Sequence, residues 1–196
     1  MAGGFSMELL EARIARDGVV LGGDILKVGS FLNQQIDVDF LMQLGEEMAR
    51  LYAQDKVTKI LTIEASGIAV AVAAAAYLHV PVVFAKKSRS ANQSADVYRA
   101  RITSFTHKNT YEAIVAKEYL CDKDRVLLVD DFLATGEALV GLLSLAEQAG
   151  ATLVGCAVAV EKGFQHGGDA LRKKGIRVES LAIIDAMSAD GIVYRR

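Results

Sequence analysis

Between residues 126 and 138 the chain reads V-L-L-V-D-D-F-L-A-T-G-E-A, and few folds can house that run. Residues 126–129 are all apolar, with Asp124 and Arg125 before them and the adjacent acids Asp130 and Asp131 after them. A short unbroken apolar run suits a strand buried on both faces, as in a parallel sheet. Gly136 lies in a short loop after the acids, and Leu139, Leu142, Leu143, Ala146 and Ala149 then recur at helical spacing. Gly150 is placed to end that helix. The segment predicts a strand, an acidic tip, a tight loop and a helix.

Physical chemistry restricts what such a unit binds. The backbone N–H groups of residues 134–138 open a helix, so they have no partners within it and lie at its positive end. That arrangement attracts a phosphate. Thr135 adds a hydroxyl donor, and Gly136 lets an anion approach the backbone. Two carboxylates beside a phosphate make sense if a sugar lies between them, because carboxylates accept hydrogen bonds from vicinal hydroxyls and also suit hydrated Mg²⁺. A ribose 5-phosphate with free 2- and 3-hydroxyls satisfies both ends of the loop.

Residues 126–138 resemble the phosphoribosyl-diphosphate (PRPP) binding motif of the type I phosphoribosyltransferases. The resemblance assigns Asp130 and Asp131 to the ribose and catalysis, and Ala134, Thr135, Gly136, Glu137 and Ala138 to PRPP. Ala138 stands where the family often has Thr, one hydroxyl fewer for the phosphate.

The rest of the chain is consistent with one domain over residues 1–196, of which 52% are hydrophobic and one is Pro. The net charge of −2 argues against a nucleic-acid partner held by bulk electrostatics. Cys121 and Cys156 match no metal or redox spacing, which reads as reduced thiols and a cytoplasmic location. His79, His107 and His166 are scattered. Residues 1–6 look like neither a signal peptide nor part of the fold, and read as an appendage ahead of Met7.

A short helix is expected over residues 8–16, and strand-like pieces over 19–32 with a turn at Gly22-Gly23. An amphipathic helix spans 37–53 through Phe40, Leu41, Leu44, Met48, Leu51 and Tyr52. Residues 59–64 form the next strand, ending in Glu64, Ala65, Ser66 and Gly67, and a helix runs on to Leu78. In open α/β sheets ligands lie at the carboxyl ends of the strands, so this loop should face the same crevice as Asp130. Residues 65–85 carry no charge. The run is rich in Ala and broken by Pro81, which argues for a helix and a strand (80–85) rather than a membrane span. Lys86 and Lys87 end that strand. Residues 88–96 form a polar loop, and 97–105 with 111–116 a hairpin, together a lid that excludes water. Strand 152–160 ends near Lys162; helix 169–174, strand 178–184 and residues 192–196 close the chain. Alternating strands and helices predict an α/β fold with a parallel sheet flanked by helices.

Residues 18–36 resemble the hood of bacterial xanthine phosphoribosyltransferases. That resemblance places Leu26, Asn33 and Lys162 at the base, and Glu64, Ala65, Ser66, Gly67, Lys86 and Lys87 at the phosphates of PRPP. Without it, Leu26 reads as core, Asn33 as a turn residue, Lys162 and the lysine pair as surface, and 64–67 as an ordinary turn. The reaction it implies moves phosphoribosyl from PRPP to a purine nitrogen, with Mg²⁺ carried by PRPP rather than bound directly by protein ligands. Xanthine has oxo groups at C2 and C6 and needs donors, which Lys162 and the Asn33 amide supply. Adenine or guanine/hypoxanthine remain alternatives, as does a PRPP-sensing regulator of the same fold. The family is typically dimeric, so a homodimer is expected.

Overall fold

The computed structural model describes residues 5–22, 24–88, 96–103, 110–188 and 191–196. Most of the expected appendage, Gly23 of the expected turn, most of the 88–96 loop and residues 104–109 lie outside these.

Helix α1 (Phe5–Asp17) leads into a two-stranded antiparallel hairpin, β1 (Val19–Leu21) and β2 (Ile25–Lys27). The expected strand character stops there: Gly29–Asn33 is a wide helical turn that buries Phe31 and Leu32. Helix α2 (Val38–Leu51) follows, capped by the Asp37 carboxylate, which accepts from the Phe40 N–H at 3.2 Å. Such a cap stabilises a helix by about 1 kcal/mol.

The main sheet is built from β3 (Lys59–Ile63), β4 (Val82–Ser88), β5 (Val97–Thr103), β6 (Thr110–Ala116), β7 (Arg125–Leu133), β8 (Thr152–Lys162), β9 (Val178–Ser188) and β10 (Gly191–Tyr194). Among the described residues its order is β10-β9-β8-β7-β3-β4-β6-β5. The five inner strands from β9 to β4 run parallel, and β10, β6 and β5 are antiparallel at the edges. The sheet is therefore mixed rather than wholly parallel. Antiparallel pairing does not need the long crossover connection that parallel pairing requires.

Helices α3 (Ser66–Leu78), α4 (Glu137–Gln148) and the short α5 (Gly167–Lys173) complete the fold. One core lies under α2 and α3, with Leu44, Met48, Val70, Leu127 and Val129. The other lies under α4, with Leu61, Val126, Leu128, Leu142 and Leu145. Alternate residues of β7 feed opposite cores, which explains why residues 126–129 are apolar without a break. The uncharged Ala run of α3 is explained by packing. Val70, Ala71, Ala73, Ala74 and Ala75 are buried, and Gly45 of α2 lies so close that a Cβ there would overlap the backbone of Ala73. No helix among the described residues is long and apolar enough to cross a membrane.

Candidate functional site

Strand β7 does not stop at the acids. It stays paired with β8 through Leu133 opposite Glu161, so Asp130 and Asp131 lie within an ordered strand and are 6% and 5% exposed. Parallel pairing on one side and the start of α3 on the other hold them.

The Asp131 carboxylate accepts from Asn33 Nδ2 and from Ser66 Oγ, each at 2.9 Å, and the Asp131 N–H donates to Asp130 Oδ1 at 2.9 Å. A Cβ at Gly67 would come 2.8 Å from Asp130 Oδ1. Only glycine therefore lets α3 begin this close to the acids. The hood, the 64–67 loop and the paired acids thus meet at one point, as the 126–138 segment and the second strand–loop–helix unit predict. Burial, followed by the charge of Asp131, pushes the Asp130 carboxyl well above the usual carboxylate range, and Lys87 pulls it partly back. Glu64 joins the same neighbourhood, its Oε1 accepting from the Lys87 N–H at 2.5 Å.

Lys86 and Lys87 separate. Successive strand residues point to opposite faces. Lys87 lies over the Tyr111 ring at 5.2 Å and within electrostatic reach of Asp130. Lys86 lines a different cavity of about 670 Å³ with Val82, Phe84, Ile114 and Tyr119. The structure brings one lysine of the expected pair to the acids and turns the other away.

Beside the acids is a cavity of about 560 Å³ lined by the 134–138 loop, Phe132 and Lys162, with Asp24 and Ile25 from the hairpin and Tyr111 from β6. The expected phosphate loop, hood and lid hairpin converge on it. Gly136 has φ of 90° and starts α4, so its left-handed backbone turns the loop into the helix. Lys162 Nζ donates to the Asp24 carbonyl at 2.6 Å and lies 5.7 Å from the centroid of the Phe132 ring. Burial lowers the Lys162 ammonium pKa. Of the three residues expected at the base, Lys162 lines this cavity. Asn33 is engaged with Asp131, and Leu26, 7% exposed, belongs to the core beneath the hood.

Phe132, Tyr111 and Asp24 also line this cavity, although the sequence pattern assigns them no role. Phe132 had a signal: an aromatic directly after the acids, near a strand's carboxyl end, offers a flat face to a ring. Asp24 had none, because it contributes through its backbone carbonyl. Among the described residues no three His, Cys, Asp or Glu side chains gather as a metal site.

Comparison with known proteins identifies the family. The phosphoribosyl transferase domain family matches residues 33–187. A xanthine phosphoribosyltransferase of Lachnoclostridium phytofermentans is 53% identical over 191 residues, covering 97% of this chain and 98% of that protein. One of Ruminiclostridium cellulolyticum is 54% identical over 181 residues, covering 92% and 95%. Among solved structures, adenine phosphoribosyltransferase of Trypanosoma brucei superposes with a TM-score of 0.75 at 18% identity, covering 93% of this chain and 82% of that one. The Rhodothermus marinus adenine enzyme gives 0.72 at 20% identity, covering 92% and 99%. These two share the fold, a central, mostly parallel sheet flanked by helices. The chain belongs to the phosphoribosyltransferase family and has its type I fold.

Proposed function

We propose that the protein is a purine-salvage enzyme that transfers the phosphoribosyl group of PRPP to xanthine, giving xanthosine monophosphate and pyrophosphate. The observation that carries this is the convergence of the 134–138 loop, the buried acids and Lys162 in a chain about half identical to xanthine phosphoribosyltransferases over nearly its full length.

In this reading the chain is one domain. The N–H groups of residues 134–138 and the Thr135 hydroxyl bind the 5-phosphate. Asp130 and Asp131 hold the ribose hydroxyls close to C1. The 64–67 loop and Lys87 receive the pyrophosphate, while Lys86 faces away from the acids. Phe132 supports one face of the purine, and Lys162 donates to an oxo group. Leu26 shapes the hood from beneath, and Asn33 ties the hood to Asp131 while its second N–H serves the base. The C1–O bond to pyrophosphate breaks as the purine nitrogen attacks C1, and positive charge builds on the ribose ring as in glycoside hydrolysis. The carboxylates stabilise that charge, and positioning supplies much of the rate.

In this reading Mg²⁺ comes coordinated to the phosphates of PRPP, next to the 134–138 loop, while Asp130 and Asp131 engage the ribose hydroxyls. Mg²⁺ arriving with PRPP would neutralise the departing pyrophosphate. We place the enzyme in the cytoplasm, which free Cys121 and buried Cys156 support. We also read it as a homodimer, supported by exposed Val72, Tyr77, Phe84 and Tyr119. Sedimentation showing only monomer at micromolar concentration would refute the dimer.

The test is a substrate panel. The protein is incubated with PRPP, Mg²⁺ and xanthine, guanine, hypoxanthine or adenine in turn, and each nucleotide is identified by mass. The highest kcat/KM is expected for xanthine. A higher value for another base would overturn the base assignment and keep the phosphoribosyl site; no nucleotide from any base would overturn catalysis.

A further inference from the structure

Past Lys162 the chain runs beneath the phosphate loop, where two consecutive glycines meet two different surfaces. Glu161 is fully buried, at 0% exposure. Arg172 donates to both of its carboxylate oxygens, at 2.9 and 2.7 Å, and Ser180 Oγ donates to Oε2 at 2.5 Å. Arg172 is itself held by its Nε donating to the Val178 carbonyl at 3.2 Å. Gly168 lies on this carboxylate: a Cβ there would overlap Oε1 and stand 2.8 Å from Oε2. Gly167 lies on the phosphate loop: a Cβ there would overlap the Ala134 carbonyl oxygen, 2.5 Å from the carbonyl carbon of Thr135 and 2.7 Å from the Gly136 nitrogen. Seen from the loop, a Cβ on Gly136 would stand 3.6 Å from Gly167 Cα. One glycine touches backbone and the other a carboxylate tied at both oxygens, so neither contact can yield by rotating a loose side chain.

We propose that Glu161 is a positioning residue for the phosphate loop: fixed by Arg172 and Ser180, it sets the position of Gly168, and Gly167 then braces residues 134–136 from behind. The inference rests on the reading of residues 134–138 as the PRPP phosphate loop. A loop that binds an anion through backbone N–H groups depends on where its backbone lies, and a displacement of about 1 Å can cost two orders of magnitude in rate. Lys162 follows Glu161 in β8 and so points to the opposite face, into the cavity. A change at Glu161 is therefore transmitted to PRPP and not to the base.

The experiment compares steady-state kinetics of the full chain in four variants, with thermal melting of each. Thr135→Ala tests the loop itself and is expected to raise KM for PRPP. Gly167→Ala is expected to raise KM for PRPP by about tenfold, and Glu161→Gln by about fivefold, with KM for xanthine within about twofold of the parent protein. Ser180→Ala removes one hydrogen bond with little change in packing and covers the case in which the others fold poorly; about a twofold rise is expected. If Thr135→Ala raises KM for PRPP while the other three leave it unchanged, the brace is overturned. Lower melting temperature with unchanged KM for PRPP, or a larger rise in KM for xanthine than for PRPP, overturns it as well. If Thr135→Ala leaves KM for PRPP unchanged, the loop reading fails and the brace falls with it.

Discussion

Asp130 and Glu161 are buried carboxylates near the carboxyl ends of adjacent strands, and the chain treats them in opposite ways. Glu161 receives a two-pronged Arg172 and a Ser180 hydroxyl. Asp130 receives the Asp131 N–H and sits next to a second carboxylate, with its carboxyl held well above the usual range. A buried carboxyl group paired at both oxygens by an arginine belongs to the framework. A buried acid kept beside a like charge destabilises the empty protein, and that arrangement persists where a ligand later supplies the missing donors. The contrast separates framework from site without any bound molecule.

The sharpest way to break this comparison is Asp130→Asn. Turnover should fall by about 10²–10³, the scale seen when a charge-stabilising group is removed, while the melting temperature rises. A carboxyl whose pKa is raised on folding holds its proton more tightly when folded. Its stabilising effect therefore fades as pH climbs from the ordinary carboxylate value through the raised folded one. Asn does not titrate, so the gain in melting temperature should be larger at pH 8 than at pH 5. A variant less stable than its parent at pH 8 would contradict the reading of Asp130.

Glu161→Ala should act in the opposite sense. It leaves Arg172 without its partner and a void under Gly168, for a loss of about 3 kcal/mol in urea unfolding. The exposed part of Arg172, 30%, moderates the effect. A loss below about 0.5 kcal/mol would remove Glu161 from the framework.

The two lysines sharpen the contrast at the rim of the site. Lys87→Gln should raise KM for PRPP by about tenfold and Lys86→Gln by less than about twofold, since a charged hydrogen bond is worth about 1.5–3 kcal/mol. Equal effects would contradict the alternation of faces along β4.

The smallest effect concerns Thr62, whose buried hydroxyl oxygen has no hydrogen-bond partner among the described residues. Thr62→Val keeps the shape and removes the unpaired group, so unfolding should become harder by about 0.5–1 kcal/mol with kcat unchanged. A fall in kcat would make Thr62 part of the site, alongside Asp130.

Much of this was legible from residue patterns. The 126–138 run predicts strand, acids, loop and helix because burial on both faces leaves no room for polar residues and helix N-termini attract phosphate. The βα loop at 64–67 follows from the same strand–loop–helix pattern, and the hairpin of β5 and β6 from weak alternation of apolar and polar residues. What the pattern misplaced is where β7 ends: the acids read as a tip, but pairing with β8 carries the strand on to Leu133. Residues 29–32 fall in a stretch that reads as strand-like in pieces, yet with Asn33 they form a helical turn that buries Phe31 and Leu32.

Local periodicity and the chemistry of neighbouring residues suffice to order the elements and to place a tight loop directly after the paired acids. The packing of the folded chain is what selects the lysine that faces the acids, joins Asn33 to Asp131 across 98 positions, and buries Glu161 within the framework. Those outcomes depend on which faces meet across the sheet and on which polar groups burial forces to find partners. Neither is encoded in the spacing of residues along the chain.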